Sequence, residues 1–149
     1  KEVTFEKTTY NEPPFKFEAG TPNIEGGIAL ATAFNYVNKL GITKIAHHEE
    51  KLIRRAAEIL SDLDHITLYG PNDRTGAISF NFEGIHHYDL GTLLDQMGFA
   101  LRTGHHCCQP LMARFGVTGT LRASFAAYNT IEEVELFGKA LKKALMMLR

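Results

Sequence analysis

The amino-acid sequence predicts an α+β fold, a small and mainly antiparallel sheet covered by helices, and three observations carry that prediction. Two stretches in the first sixty residues repeat apolar side chains at helical spacing. Short runs rich in β-branched and aromatic residues follow, the first two parted by the strong turn signal Gly70-Pro71-Asn72-Asp73. A third helical pattern then closes the chain behind its own start signal.

Taken in order, residues 1–27 are polar, carry Pro13, Pro14, Pro22 and three glycines, and show no sustained period. They read as an extended lead-in segment, and residues 28–149 as the folded domain. From Ile28, the residues Leu30, Ala31, Phe34, Val37 and Asn38 share one helix face, with Gly41 placed to cap the end. A second helix spans about Lys44 to Leu60. Ile45, Leu52, Ile53, Ala56, Ile59 and Leu60 lie on one side, and His47, His48, Glu49, Glu50, Arg54 and Arg55 largely on the wet side. Ile66 to Tyr69 is a short strand, and Ala77 to Phe82 alternates with period two, as a half-buried strand does. A helix at about Tyr88 to Met97 stops at Gly98, with Asp89 as its expected cap. Phe99 to Arg102, running into Gly104, is a third strand, and Thr120 to Phe125 a fourth. Asn129-Thr130-Ile131-Glu132-Glu133 then starts a long helix to about Leu148, with acids in its first turn. No internal repeat or low-complexity tract interrupts this order.

Composition narrows the function classes. A chain of 149 residues is near the usual size of one domain, and 44% hydrophobic content with a formal charge of −1 describes an ordinary globular protein. It lacks the basic stripe of a nucleic-acid binder. It lacks both a signal-peptide pattern and an apolar run of the roughly 18 residues that span a bilayer, so no membrane role is expected. The chain opens Lys-Glu-Val-Thr without Met and reads as an excised or processed piece. Its two cysteines, Cys107 and Cys108, are adjacent, a spacing that suits a disulfide poorly. Free thiols in a reducing, cytoplasmic setting are therefore expected.

Three clusters could carry chemistry. The densest is Arg102-Thr103-Gly104-His105-His106-Cys107-Cys108-Gln109-Pro110. His105, His106, Cys107 and Cys108 are all zinc-ligand types, but structural zinc sites use pairs separated by about two to four residues. Four consecutive side chains diverge, so a metal would need distant partners such as His86 or His87. A nucleophilic thiolate fits the same residues, because cationic and hydrogen-bonding neighbours favour the anion and Gly104 lets the backbone bend. A polar loop with two small cysteines remains the plain alternative. Arg122, set among apolar neighbours in Thr120-Leu121-Arg122-Ala123-Ser124-Phe125, needs an anion, either a ligand carboxylate or one of the chain's own acids. In Phe17-Glu18-Ala19-Gly20-Thr21-Pro22-Asn23, Gly20 and Thr21 could offer a backbone N–H and a hydroxyl to a phosphate, or form only a turn.

In order and spacing, these clusters together with Leu68-Tyr69-Gly70-Pro71 and Tyr128-Asn129-Thr130 resemble the C-terminal signature of one family. It is the SUF-type (group II) cysteine desulfurases and selenocysteine lyases, which are class V, fold-type I enzymes dependent on pyridoxal 5'-phosphate. The resemblance runs from about Phe15 to the chain's end, and Arg-Thr-Gly-His-His-Cys is its most specific part. It implies that Cys107 takes sulfur from L-cysteine or L-selenocysteine as a persulfide, leaving alanine. Arg122 then resembles the arginine that holds the substrate carboxylate, and Arg102 a further active-site arginine. Thr21, with Gly20, resembles the pair that reaches the cofactor phosphate of the other subunit in a homodimer. A SUF sulfur acceptor serving iron–sulfur cluster assembly is the implied partner. Cys108 departs from the pattern, since a small residue, often Ala, is common there.

The family's cofactor is held by a lysine in a Ser-x-His-Lys setting, and no His-Lys pair occurs in this chain. Lys39, Lys44, Lys51, Lys139, Lys142 and Lys143 read as solvated helix lysines. The resemblance therefore implies a C-terminal small domain whose large cofactor domain, continuous with residues 1–27, would precede Lys1, and which is inactive by itself. The rival readings are another class V enzyme, which should lack the Gly-His-His-Cys loop, and a small metal-binding or interaction module.

Overall fold

The computed structural model describes residues 1–148. The chain divides into two compact units, Lys1–Gly41 and Ile42–Arg149.

In the first unit, β1 (Glu2–Val3) and β2 (Thr8–Thr9) pair antiparallel, with Glu2 opposite Thr9. A single 3-10 turn at Phe15–Phe17 precedes α1 (Ile24–Leu40). The helix starts four residues before the expected Ile28 because Asn23, read as part of a turn, is its N-cap: Asn23 Oδ1 accepts the Gly26 N–H at 2.8 Å. Residues 1–27 are therefore not extended throughout, and compactness divides the chain after Gly41, not after Gly27. Gly41 ends the helix as expected, at a φ of 91° that a side chain would resist. No residue of α1 is buried.

The second unit holds the core. Its strands β3 (Ile66–Tyr69), β4 (Ala77–Phe82), β5 (Arg102–Gly104) and β6 (Thr120–Ser124) form one sheet in the order β3-β4-β6-β5, with every neighbour antiparallel. Ile78, Phe80 and Phe82 alternate into the interior, and register sets Phe80 opposite Leu121 and Ile78 opposite Ala123. Against this face pack α2 (Ile42–Ser61), α3 (His87–Gln96) and α5 (Ile131–Leu148), which contribute Ile53, Leu60, Leu90, Leu94, Phe137 and Leu141. The α+β architecture is as expected, and β3 and β4 have the expected bounds.

Three local expectations change. The N-cap of α3 is His86, whose Nδ1 accepts the Tyr88 N–H at 3.3 Å; Asp89 lies inside the first turn instead. β5 begins at Arg102, not Phe99, because the Phe99 N–H is held by the Leu94 carbonyl at the end of α3, and pairing with β6 starts only at Arg102. A further helix, α4 (Gln109–Phe115), follows the cysteines, with Pro110 in its first turn and left-handed Gly116 at its end. At α5, Thr130 and Glu133 form a capping box: the Thr130 N–H donates to Glu133 at 2.9 Å and the Glu133 N–H to Thr130 Oγ1 at 3.2 Å.

Candidate functional site

The face of the sheet opposite the core is where the sequence clusters of the second unit converge. Because side chains alternate along a strand, the residues between the core positions of β4 and β6 point away from the helices. Register sets Tyr69 opposite Ser79, Ser79 opposite Arg122, and Arg122 opposite Arg102, one row across all four strands. Two arginines thus occupy directly opposite positions on β5 and β6, a pairing of like charges that an anion between or beside them would relieve. Arg122 is half-buried and, among the described residues, its buried Nε–H has no hydrogen-bond partner, which leaves that donor open to an anion. Arg102 is exposed, and its Nη2 donates toward Cys107 Sγ at 3.8 Å.

The loop from β5 to α4 turns sharply. His106 and Cys107 are both left-handed, with φ of 53° and 58°, a region that residues other than glycine enter only under constraint. The Cys107 N–H donates to His105 Nδ1 at 3.1 Å, and the Cys108 N–H to the His105 carbonyl at 2.9 Å. His106 Nε2 lies 2.9 Å from Thr120 Oγ1 and 3.2 Å from the Thr120 carbonyl. Burial, with Arg122 and Arg102 nearby, lowers the pKa of the His106 ring and so favours its neutral form. Both cysteines are free and exposed. Gly119, just before β6, lets the loops close up: a Cβ there would stand 2.6 Å from His87 Nε2 and 2.7 Å from the Gly104 carbonyl carbon.

The structure therefore brings Cys107, Arg102 and Arg122 to one place. Gly20 and Thr21 belong to the first unit, where Gly20 has a φ of 71° and Thr21 is exposed just before the α1 cap. Of the four zinc-ligand types in the cysteine cluster, His106 is engaged with Thr120. Among the described residues, no group of three or more His, Cys, Asp or Glu is placed to hold a metal ion. His86 and His87 stack on each other at 4.2 Å, and burial lowers the His87 pKa. A cleft of about 560 Å³ lined by His65, Tyr69, Asn81, His86 and Gly119 includes neither Cys107 nor either arginine. Thr120 and Gly119 were not singled out by sequence. A buried threonine at a strand start carries no local signal, and the glycine's role depends on residues remote in the chain.

A covalently bound pyridoxal phosphate needs a sheltered lysine amine. Lys39, Lys44, Lys51, Lys139, Lys142 and Lys143 are all exposed, so no such anchor is found among them. The carboxylate-binding half of such a site fits better, because Arg122 offers a buried, unpartnered N–H. No helix among the described residues is long and apolar enough to cross a membrane.

Residues 1–137 match the family model of the class-V aminotransferases. The cysteine desulfurase of Klebsiella pneumoniae (strain 342) is 52% identical over 130 residues, covering 87% of this chain and 32% of that protein. A probable cysteine desulfurase of Xylella fastidiosa (strain Temecula1) is 49% identical over 150 aligned positions, covering 99% and 36%. The structure superposes on the cysteine desulfurase CsdA of Escherichia coli, solved as its S-sulfonic acid, with a TM-score of 0.88 and 40% identity over 100% of this chain and 37% of that one. The apo cysteine desulfurase of Thermococcus onnurineus NA1 gives 0.85 and 39%, over 99% and 37%. The chain spans about a third of the length of these relatives.

Proposed function

The chain belongs to the class-V aminotransferase family, and from that premise we propose that it is the C-terminal domain of a cysteine desulfurase of the SUF type, with Cys107 as its sulfur-accepting nucleophile. The observation that carries this reading is the grouping of an exposed thiol, a guanidinium 3.8 Å from its sulfur, and a second arginine directly across the strand pair. Arg122 grips the carboxylate of L-cysteine, its unpartnered Nε–H supplying the donor. Arg102 adds positive charge beside the sulfur that must carry negative charge as a nucleophile. Cys107 forms a bond to the substrate sulfur as that sulfur leaves carbon, giving alanine and a Cys107 persulfide. Pyridoxal phosphate, when bound, supplies the electron sink for cleaving the carbon–sulfur bond. Thr21 and Gly20 contact its phosphate from the other subunit of a homodimer, and residues 1–27 form the lead-in from a larger domain. The persulfide passes to a SUF acceptor for iron–sulfur cluster assembly in the cytoplasm.

Cys107, and not Cys108, carries the sulfur because neighbouring side chains point to different sides and a reacting atom must come within about 3–3.5 Å. In the full-length protein, Cys107→Ser abolishes persulfide formation while Cys108→Ala keeps most turnover. Mass spectrometry of the trapped persulfide reads this out. A label on Cys108 in the unaltered enzyme, with Cys107→Ser still active, would overturn the assignment. The 149-residue chain mixed with pyridoxal phosphate and L-cysteine yields no alanine above the free cofactor, and enzymic alanine there would sink the assignment of the missing lysine to another part of the protein.

A further inference from the structure

We infer that His106 is a positioning residue for the Cys107 thiol, acting through its ring contact with Thr120 of β6; the inference deepens the desulfurase reading and rests on Cys107 being the reacting group. Two consecutive non-glycine residues, His106 and Cys107, hold left-handed backbones. Such a conformation persists only where the surroundings over-determine it. Relaxation of either residue to φ < 0 would re-aim the Cys107 Cα–Cβ bond and carry Sγ away from Arg102.

The bonds of the loop divide by reach. Cys107 N–H to His105 Nδ1 and Cys108 N–H to the His105 carbonyl link the loop to itself and move with it. Arg102 reaches in from β5, but a 3.8 Å approach to sulfur follows the thiol more than it fixes the backbone. The His106 ring leaves the loop and meets Thr120, which is 1% exposed and sits on a strand paired on both sides, with β4 and with β5. That strand is the rigid framework that also carries Arg122. One side chain therefore fixes the thiol relative to the arginine opposite Arg102. Either neutral tautomer keeps a contact: a protonated Nε2 donates to the Thr120 carbonyl, and a bare Nε2 accepts from the Thr120 hydroxyl.

The test is competitive alkylation of the two adjacent thiols in the 149-residue chain with limiting iodoacetamide, the Cys107 to Cys108 labelling ratio being read by tandem mass spectrometry. The unaltered chain labels Cys107 preferentially. His106→Leu, which keeps bulk without the bond, lowers the ratio roughly three- to tenfold, the factor one net hydrogen bond supplies. His106→Gln, whose amide N–H can reach the same carbonyl, restores it to within about twofold. Circular dichroism and the unfolding midpoint establish that each variant is folded. Should His106→Leu fail to fold, Thr120→Val removes one partner at nearly constant shape and moves the ratio the same way by less. An unchanged ratio in a folded His106→Leu chain, or a fall that Gln does not rescue, overturns the inference alone. A ratio near one in the unaltered chain overturns the assignment of Cys107 and the inference with it.

Discussion

Helices α1 and α5 are nearly equal in length, 17 and 18 residues, and both repeat apolar side chains at helical spacing. Yet α5 buries Val134, Phe137, Gly138, Leu141, Ala144 and Leu145, while α1 buries nothing and leaves Phe34 61% exposed. Each belongs to a different compact unit, and the units differ in the same way: no residue of Lys1–Gly41 is buried. Periodicity specifies which face of a helix is apolar, but only a partner surface turns that face into a core. In α5 the partner is the sheet with α2 and α3, where Phe80 and Phe137 rings lie 6.4 Å apart.

The largest expected contrast is in hydrogen exchange. Amides of β4 and β6 exchange only through global unfolding, while those from Glu12 to Asn23 exchange faster by orders of magnitude, because local opening there disturbs no buried contact. Strong protection across Glu12 to Asn23 would erase the difference between the units. Substitution comes next. Phe80→Ala, at a residue with no exposure, costs about 3–5 kcal/mol in urea unfolding. Phe34→Ala on α1 stays within about 0.5 kcal/mol, and a larger loss would mean that the α1 face is covered after all.

A smaller effect probes how closely α5 approaches α2. A Cβ at Gly138 would stand 2.7 Å from Ile59 Cγ2, so Gly138→Ala overpacks the contact and costs about 1–3 kcal/mol despite the better helix propensity of Ala. A stabilised variant would mean that the two helices part easily. The smallest effect is at the α5 cap. The Thr130 N–H and then the Asn129 amide hold the Glu133 carboxyl below its ordinary 4.5. A lowered folded pKa means the unfolded chain binds the proton first, so the cap's contribution is whole above the ordinary value and is lost as pH falls through the folded one. Glu133→Gln therefore lowers the unfolding midpoint at neutral pH and converges with the unaltered chain in acid. Equal differences at both pH values would show that the carboxylate charge plays no part.

How much of this was legible in the sequence depends on the reach of each signal. Period two gave the bounds of β4, the turn residues 70–73 ended β3, and Gly41 stopped α1, because each signal sits within a few residues of what it controls. The chemistry-bearing types at Arg102, Cys107 and Arg122, spaced as in a known family, were also visible there, and the sequence alone determined that an α+β domain would carry them. Their convergence was decided only by the tertiary structure. Antiparallel register puts Arg102 opposite Arg122 and brings His106 to Thr120, pairings between residues 20 and 14 positions apart that no local pattern encodes. The start of β5 at Arg102 has the same cause, since the end of α3 claims the Phe99 N–H before a ladder can. Local propensity fixes what a segment can become, while sheet register, set by burial of Phe80 against Leu121 on one face, dictates which polar side chains meet on the other.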